Sequence, residues 1–435
     1  MNSSINIAEF GDGTTGLCQD PNYLDITQPL KEAEQNAADI AEAEQIYTSG
    51  KALEYICESC CGGHAGDKRT IELMVLSYAG TLVKNAIAGI HLSISGNAGS
   101  GKSHAAKVVE KHLPNDTIVN ASQSSKALFY NPHPDGTIFV LDDQELNLDI
   151  QELIKNATTH YEEGAKRETV ENGVGKTLST PKRCIFWTVK ANITGDEQTL
   201  SRQYCLWSDN SMEQKINVKD AIGKRVNCID KDKYEHSNTV SKLIWTKIQP
   251  KEVVIPYYDD IIFRGDALDA RNIILFTVVI QAAAIMDGSN RRLNNDGRIE
   301  ANMDDFTKAM EIHNALCRGE GGSITKFSKP TMKVVNVLLT KPPGTYTTMQ
   351  LRKEGNISPA DMTNAGRGRK DSKLPFLADV PGVTIVWRSE IDGGGSTQME
   401  AIKWDPDAYE TGTALDSRIM MNAEHIRFWR EYEKT

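Results

Sequence analysis

Long hydrophobic runs are missing from this chain. No stretch of eighteen or more apolar residues occurs in its 435 positions, so no membrane-spanning helix is expected. The opening MNSSINIAEFGDG lacks the basic-then-apolar layout of a secretory leader. Cysteine is sparse. Eight residues at uneven spacing do not make a disulfide framework and point to reduced thiols. Positive charge is in deficit, with 49 Lys and Arg against 59 Asp and Glu, a formal net charge of −10. That excludes a surface basic all over, but not a local basic channel or module. No internal repeat is evident. The expectation is a soluble, intracellular, cytoplasmic protein; the composition is ordinary for a globular chain, with 39% apolar and 25% charged residues. Its length suffices for two or three cores.

Against this background, residues 93–107 read SISGNAGSGKSHAAK. An apolar, strand-like run meets a glycine-rich loop, and a lysine-serine pair opens a helix. Gly96, Asn97, Ala98, Gly99, Ser100, Gly101, Lys102 and Ser103 fit G-x-x-x-x-G-K-[ST] at every fixed position. Glycine lets the backbone curl until its N–H groups face a phosphate. Lys102 supplies a cation to the β- and γ-phosphates, and the Ser103 hydroxyl a ligand for Mg²⁺. The helix N-terminus adds its dipole. ATP and Mg²⁺ are the cofactors this loop predicts. A second element supports it. In TIFVLDD, residues 137–143, four apolar residues form a buried strand that ends in two carboxylates. Asp142 is expected to hold Mg²⁺. Asp143, one position on and pointing the other way, is expected to polarise the attacking water, with Glu145 as the alternative base.

From 91 to about 210, strand and helix alternate, which indicates an α/β fold with a parallel sheet and crossover helices. Residues 1–66 read as a flexible and then helical segment, in which KEAEQNAADIAEAEQI is an exposed acidic helix. The core spans 67–249. Within it, GAKRETVENGVGKTLSTPKR has a strand-turn-strand pattern around NGVG, so a β-hairpin is inserted there. Residues 250–320 are largely helical, and Asp304 or Asp305 is expected to cap the second helix. Three short helices and two strands over 324–405 give the pattern of a winged helix. A helical tail covers 406–435. Over 321–375, ten Lys and Arg stand against three Asp and Glu. Arg367, Arg369 and Lys370 lie at or just after the third helix of this unit, where such folds meet DNA. Cys57, Cys60, Cys61 and His64 have the spacing of half a zinc site. No second pair follows, so these thiols are read as buried or idle.

The order of strands, with the two nucleotide motifs on the first and third, resembles the AAA+ ATPases. The resemblance implies a parallel-sheet ATPase core followed by a helical lid, here 250–320. In that family the next strand ends in a polar sensor of the γ-phosphate and lytic water. Here CIFWTV is followed by Lys190-Ala191-Asn192, so Asn192 looks like the sensor. An arginine before the fifth strand reaches into the neighbouring subunit. In LSRQYC, Arg202 looks like this finger, which neutralises charge on the transferred phosphoryl group. Arg271, opening ARNIILFTVVIQAAAIM, looks like the second sensor, with Arg291 and Arg292 as rivals. A finger acting across a boundary implies a homo-oligomeric ring, most simply a hexamer.

The inserted hairpin resembles the pre-sensor hairpin of the minichromosome maintenance helicases and of viral superfamily-three helicases. There it points into the channel and grips the DNA backbone. Lys176 flanks the predicted tip, and Lys166 and Arg167 sit at the base. One lysine per subunit around a ring gives phosphate contacts without base reading. The overall likeness is to compact helicases found with phage, plasmid and archaeal primases, through SKALFY at 125–130, IPYY at 255–258 and the closing winged helix. The implied function is a replicative DNA helicase acting on single-stranded or forked DNA, with a primase or replication protein as partner. The alternative is an initiator, loader or regulatory ATPase that binds DNA or a partner without unwinding.

Overall fold

The structure, a computed structural model, describes residues 27–96, 99–120, 133–143, 148–171, 174–190, 197–208, 212–263, 269–317, 329–367, 377–380, 382–387, 399–406 and 419–434. At its centre is a five-stranded parallel sheet. The strands are β1 (His91–Ser95), β2 (Ile118–Asn120), β3 (Ile138–Asp142), β6 (Ile185–Lys190) and β7 (Gln203–Trp207), in the order β7-β1-β6-β3-β2. Register runs Leu92 to Trp187, Ser95 to Trp207 and Asp142 to Val189. Successive side chains alternate between faces, and both faces are covered, so the strands read as near-continuous apolar runs. Ile138 and Val140 join the main core. Phe139, Leu141 and Phe186 join a smaller one with Ile150, Leu153 and Ile154 of the helix Leu148–Thr159.

The main core extends well beyond the sheet. Helix Lys68–Thr81 buries Ile71, Leu73, Met74, Val75 and Leu76 completely. Ala270–Met286 is apolar nearly all round and buried for most of its length, as such helices must be. Both belong to one cluster that runs from Ala43 to Met421. Helix Ala52–Gly63 contributes Leu53, Ile56, Cys57 and Cys60 to it. The acidic helix Thr27–Thr48 keeps an exposed face, and its carboxylates seat it on the helix Lys231–Lys247. Asp39 and Glu42 meet His236 at 3.2 and 2.9 Å, and Glu44 meets Lys247 at 2.6 Å.

The inserted hairpin forms where the NG turn predicts it. β4 (Lys166–Glu171) and β5 (Val174–Ser179) pair antiparallel as a separate two-stranded sheet just before β6. Helix Met303–Cys317 is capped by Asn302 and Asp305 together. Asn302 Oδ1 accepts from the backbone N–H groups of Asp304 and Asp305 at 3.0 and 3.1 Å. In return Asp305 Oδ2 accepts from the Asn302 backbone N–H at 2.9 Å, and the same carboxylate binds Arg291 through two contacts of 2.9 and 2.8 Å.

Short strands β8 (Val253–Val254) and β10 (Ile299–Glu300) pair parallel. Residues 329–406 hold three helices, Lys329–Leu338, Thr348–Glu354 and Pro359–Arg367, and a three-stranded antiparallel sheet. Its strands are β11 (Gly344–Thr347), β12 (Val383–Trp387) and β13 (Met399–Trp404), with β13 in the middle. This unit has its own core around Val334, Leu338, Leu351, Ile402 and Trp404. The chain then returns to the 250–317 region. β14 (Ile419–Met420) pairs antiparallel with β9 (Ile262–Phe263). Helix Ala423–Tyr432 follows, and Trp429 Nε1 donates to Asp260 Oδ2 at 2.6 Å while its ring meets Tyr257 and Tyr432. Replacing this half-buried ring with alanine is expected to destabilise the fold by about 2 kcal/mol, below the ~3–5 of a fully buried aromatic. Urea unfolding of Trp429→Ala measures it. No helix among the described residues is long and apolar enough to cross a membrane.

Candidate nucleotide site

β1 ends at Ser95 and the loop begins at Gly96. A Cβ at Gly96 would lie 1.9 Å from Ser208 Oγ, so no larger residue fits there unless Ser208 moves. Ser208 follows β7, donates its N–H to Ser95 O, and shares a 2.6 Å hydrogen bond with Ser100 Oγ. The strand beside the loop thus braces it. Gly101 takes a left-handed φ of 89° and turns the chain into the helix Lys102–His112. Lys102 is buried, and its Nζ donates to Gly96 O at 2.9 Å and Ser100 Oγ at 3.3 Å.

Ser103 Oγ donates to Asp142 Oδ1 at 2.8 Å. Residues 39 positions apart therefore meet at the mouth of the loop, as the two motifs predict. A hydroxyl and a carboxylate are the hard oxygen donors that Mg²⁺ prefers, so this pair fits the ion. Asp143 follows with φ 50°, a conformation short polar side chains tolerate, and its N–H donates to Val189 O at 2.9 Å. It is exposed at the end of the strand. β6 ends at Lys190, level with Ser95.

The candidate arginines lie at the other end of the sheet. Register pairs His91 with Gln203, so Arg202 stands just before the amino end of β7, five strand positions from the level of Ser95, where β1 gives way to the loop. At about 3.3 Å per residue, that is roughly 16 Å. Arg202 Nη1 donates to Gln198 O at 2.6 Å. Arg271 donates to Ser201 Oγ and so stands beside Arg202. The rival Arg291 has a structural place: it is held between Asp305 and Asp287, at 2.8 and 3.7 Å. Arg292 lies 4.4 Å over the Tyr432 ring and near Glu300. Neither is directed to the loop.

Among the DNA candidates, Lys166 is exposed at the hairpin base, paired in register with Ser179, while Lys176 pairs with Thr169. The side chains of Arg167, Lys176 and Arg367 lie outside the described residues, as do Asn97, Ala98, Glu145, Asn192, Arg369 and Lys370 altogether.

One cluster beside the loop was not foreseen. His64, the C-cap of the helix Ala52–Gly63, places Nδ1 2.8 Å from His104 Nδ1 and Nε2 3.2 Å from Asp67 Oδ2. The two imidazoles stack with centroids 5.1 Å apart. Arg225 Nη2 reaches His104 Nε2 at 2.9 Å. Burial first, then His64 and the cations Arg225, Lys111 and Lys107, push the His104 imidazole down to about 4. By spacing, His64 and the nearby cysteines make only half a zinc site, and the thiols read as buried or idle. Cys57 and Cys60 face the core, where burial pushes both thiols up. No group of three or more His, Cys, Asp or Glu among the described residues is placed to hold a metal.

Residues 37–251 match the family described as the MTBMA_p00010 P-loop domain. An uncharacterised protein of Methanothermobacter marburgensis is 28% identical over 156 residues. The similar stretch takes in 34% of this chain and 19% of that protein's length. With the loop geometry and the Ser103–Asp142 contact, these similarities support a P-loop NTPase domain in the chain. Its matched span begins in the acidic helix and ends at Lys251, which bridges to Val83.

Proposed function

We propose that the chain is an ATP-driven, ring-forming DNA helicase or translocase that acts in replication. One observation carries this reading: the charged candidates are divided between the two ends of a single sheet. Lys102, Ser103 and Asp142 stand at the carboxyl ends of the strands. Arg202, Arg271 and the root of the hairpin stand at the amino ends. An arginine about 16 Å from its own loop contacts a triphosphate only when a second copy presents one. Repeated head to tail, such a contact closes into a ring.

The strand order supports the AAA+ resemblance, because it sets β1 between the finger strand and the sensor strand. In this reading Ser103 and Asp142 hold Mg²⁺, which when bound neutralises charge on the β- and γ-oxygens. Lys102 exchanges its carbonyl partner for phosphate oxygens. Asp143 or Glu145 orients the water, and Asn192 senses the γ-phosphate. Arg271, beside Arg202, serves the same subunit boundary.

The hairpin supplies the grip on DNA through Lys166, Arg167 and Lys176. The order helix, strand, helix, helix, strand, strand over 329–406 supports reading this unit as a winged helix. Two of its cations are internally paired, Lys333 with Asp361 at 2.6 Å and Lys341 with Glu354 at 2.5 Å. In this reading Arg367, Arg369 and Lys370, at or just after its third helix, contact DNA.

The deciding experiment is the ATPase rate with and without single-stranded DNA at fixed salt. The helicase reading expects stimulation. Slow turnover indifferent to DNA favours an initiator, loader or regulatory switch. Lys176→Ala is expected to keep basal turnover, lose DNA stimulation and strand separation, and flatten the salt dependence of binding by about one phosphate contact per subunit. Strand separation at the wild-type rate removes the hairpin from the mechanism.

A further inference from the structure

We infer that His64 is a positioning residue of the nucleotide site: with Asp67 and Arg225, it fixes the first turn of the phosphate-loop helix through His104. The inference rests on reading that loop as a triphosphate site. It starts from donor and acceptor chemistry. A guanidinium can only donate, so His104 Nε2 accepts from Arg225 at 2.9 Å. In a neutral ring the proton then sits on His104 Nδ1 and is donated to His64 Nδ1 at 2.8 Å. His64 must carry its own proton on Nε2, which faces Asp67 Oδ2 at 3.2 Å. One arrangement of protons satisfies all three contacts, with both rings neutral.

This chain of hydrogen bonds bears on the loop at two points. His104 lies two residues after Lys102, in the first helical turn. A Cβ at Gly101 would stand 3.0 Å from His64 Cε1, so the imidazole lies against the glycine that turns loop into helix. His64 is itself fixed. Its N–H donates to Cys60 O, its ring is buried, and the turn carrying it is gripped by helix Met212–Val226. Arg225 donates to Gly63 O at 3.2 Å, and Gln214 Nε2 donates to Ala65 O. Backbone N–H groups that receive phosphate bind best when their direction is set beforehand. His64 sets it from a helix nearly forty residues upstream in the chain.

The test compares wild type, His64→Ala, His64→Asn and Arg225→Met, the last an exposed change that should not impair folding. MgATP affinity, KM, kcat and thermal midpoint are measured, together with amide hydrogen exchange over 99–106 without nucleotide. His64→Ala is expected to weaken MgATP binding about tenfold, the worth of one or two hydrogen bonds, with kcat little changed. Exchange over 99–106 should rise. Asn places an acceptor where Nδ1 stood and is expected to recover most of the affinity. Arg225→Met should give a smaller loss. Wild-type affinity and unchanged exchange in both His64→Ala and Arg225→Met overturn the inference. So does an Asn variant that regains the thermal midpoint but not the affinity. Should wild type bind no nucleotide while His64→Ala still loosens 99–106, the triphosphate reading fails and the positioning role stands.

Discussion

Lys102→Ala is expected to lose ATP hydrolysis by at least about 10²–10³-fold, the range seen when one preorganised donor is removed from a site of developing charge. Lys102 is buried, and its ammonium bridges the start and middle of the loop through Gly96 O and Ser100 Oγ. These partners hold the cation where the β- and γ-oxygens would arrive. The geometry is present before the nucleotide, so little reorganisation is needed on binding. Alanine leaves the loop's N–H groups and the Ser103–Asp142 pair in place. Some nucleotide binding should therefore persist while turnover does not. The thermal midpoint should barely move, because a buried cation removed together with its desolvation cost leaves little net loss. Phosphate release and nucleotide titration on the same preparation measure both effects. Normal turnover in this variant refutes the site.

The loop was legible because its chemistry is local. Eight consecutive residues carry the glycines, the lysine and the hydroxyl. Asp142 was legible because a buried strand that ends in carboxylates must deliver them to one edge of the sheet. The hairpin was legible through NG between two runs of strand formers. What failed to show shares one property: it depends on partners distant in sequence. Ser100 meets Ser208 across 108 positions, and His64 meets His104 across 40. Neither serine nor histidine announces such a contact. Arg291 read as a rival sensor because it lies near a helix end. Its place was decided by the buried Asp305, since a charge in the core needs a partner there. Strand β14 has two residues and exists because Phe263 offers an edge 156 positions away. No local pattern predicts it. β11 was hidden because Pro342 and Pro343 precede it and Gly344 opens it, a run with the composition of a turn.

Arg202→Ala is expected to bind ATP as wild type does and to lose hydrolysis about 10³-fold or more, the worth of a finger supplied from a neighbour. The argument is one of reach. Register pairs His91 with Gln203, so Arg202 lies one step before that level, whereas the loop begins beyond Ser95. Its guanidinium rests on Gln198 O at a half-exposed position, so alanine there should not cost the fold. Affinity and turnover then separate: the loop that binds is untouched, and the charge that develops in the transition state goes unanswered. Lysine is not expected to rescue, because an ammonium lacks the planar fork that spans two phosphoryl oxygens. Mixing supplies the decisive form of the test. Arg202→Ala subunits keep a sound loop, and Lys102→Ala subunits keep a sound finger. In randomly mixed rings of equal parts, about a quarter of the boundaries join a sound finger to a sound loop, so activity should reappear from two inactive proteins. Mixed rings that form yet stay silent at every ratio would take Arg202 out of the boundary. A preparation that remains monomeric with non-hydrolysable analogue and DNA would leave no boundary for it to act across.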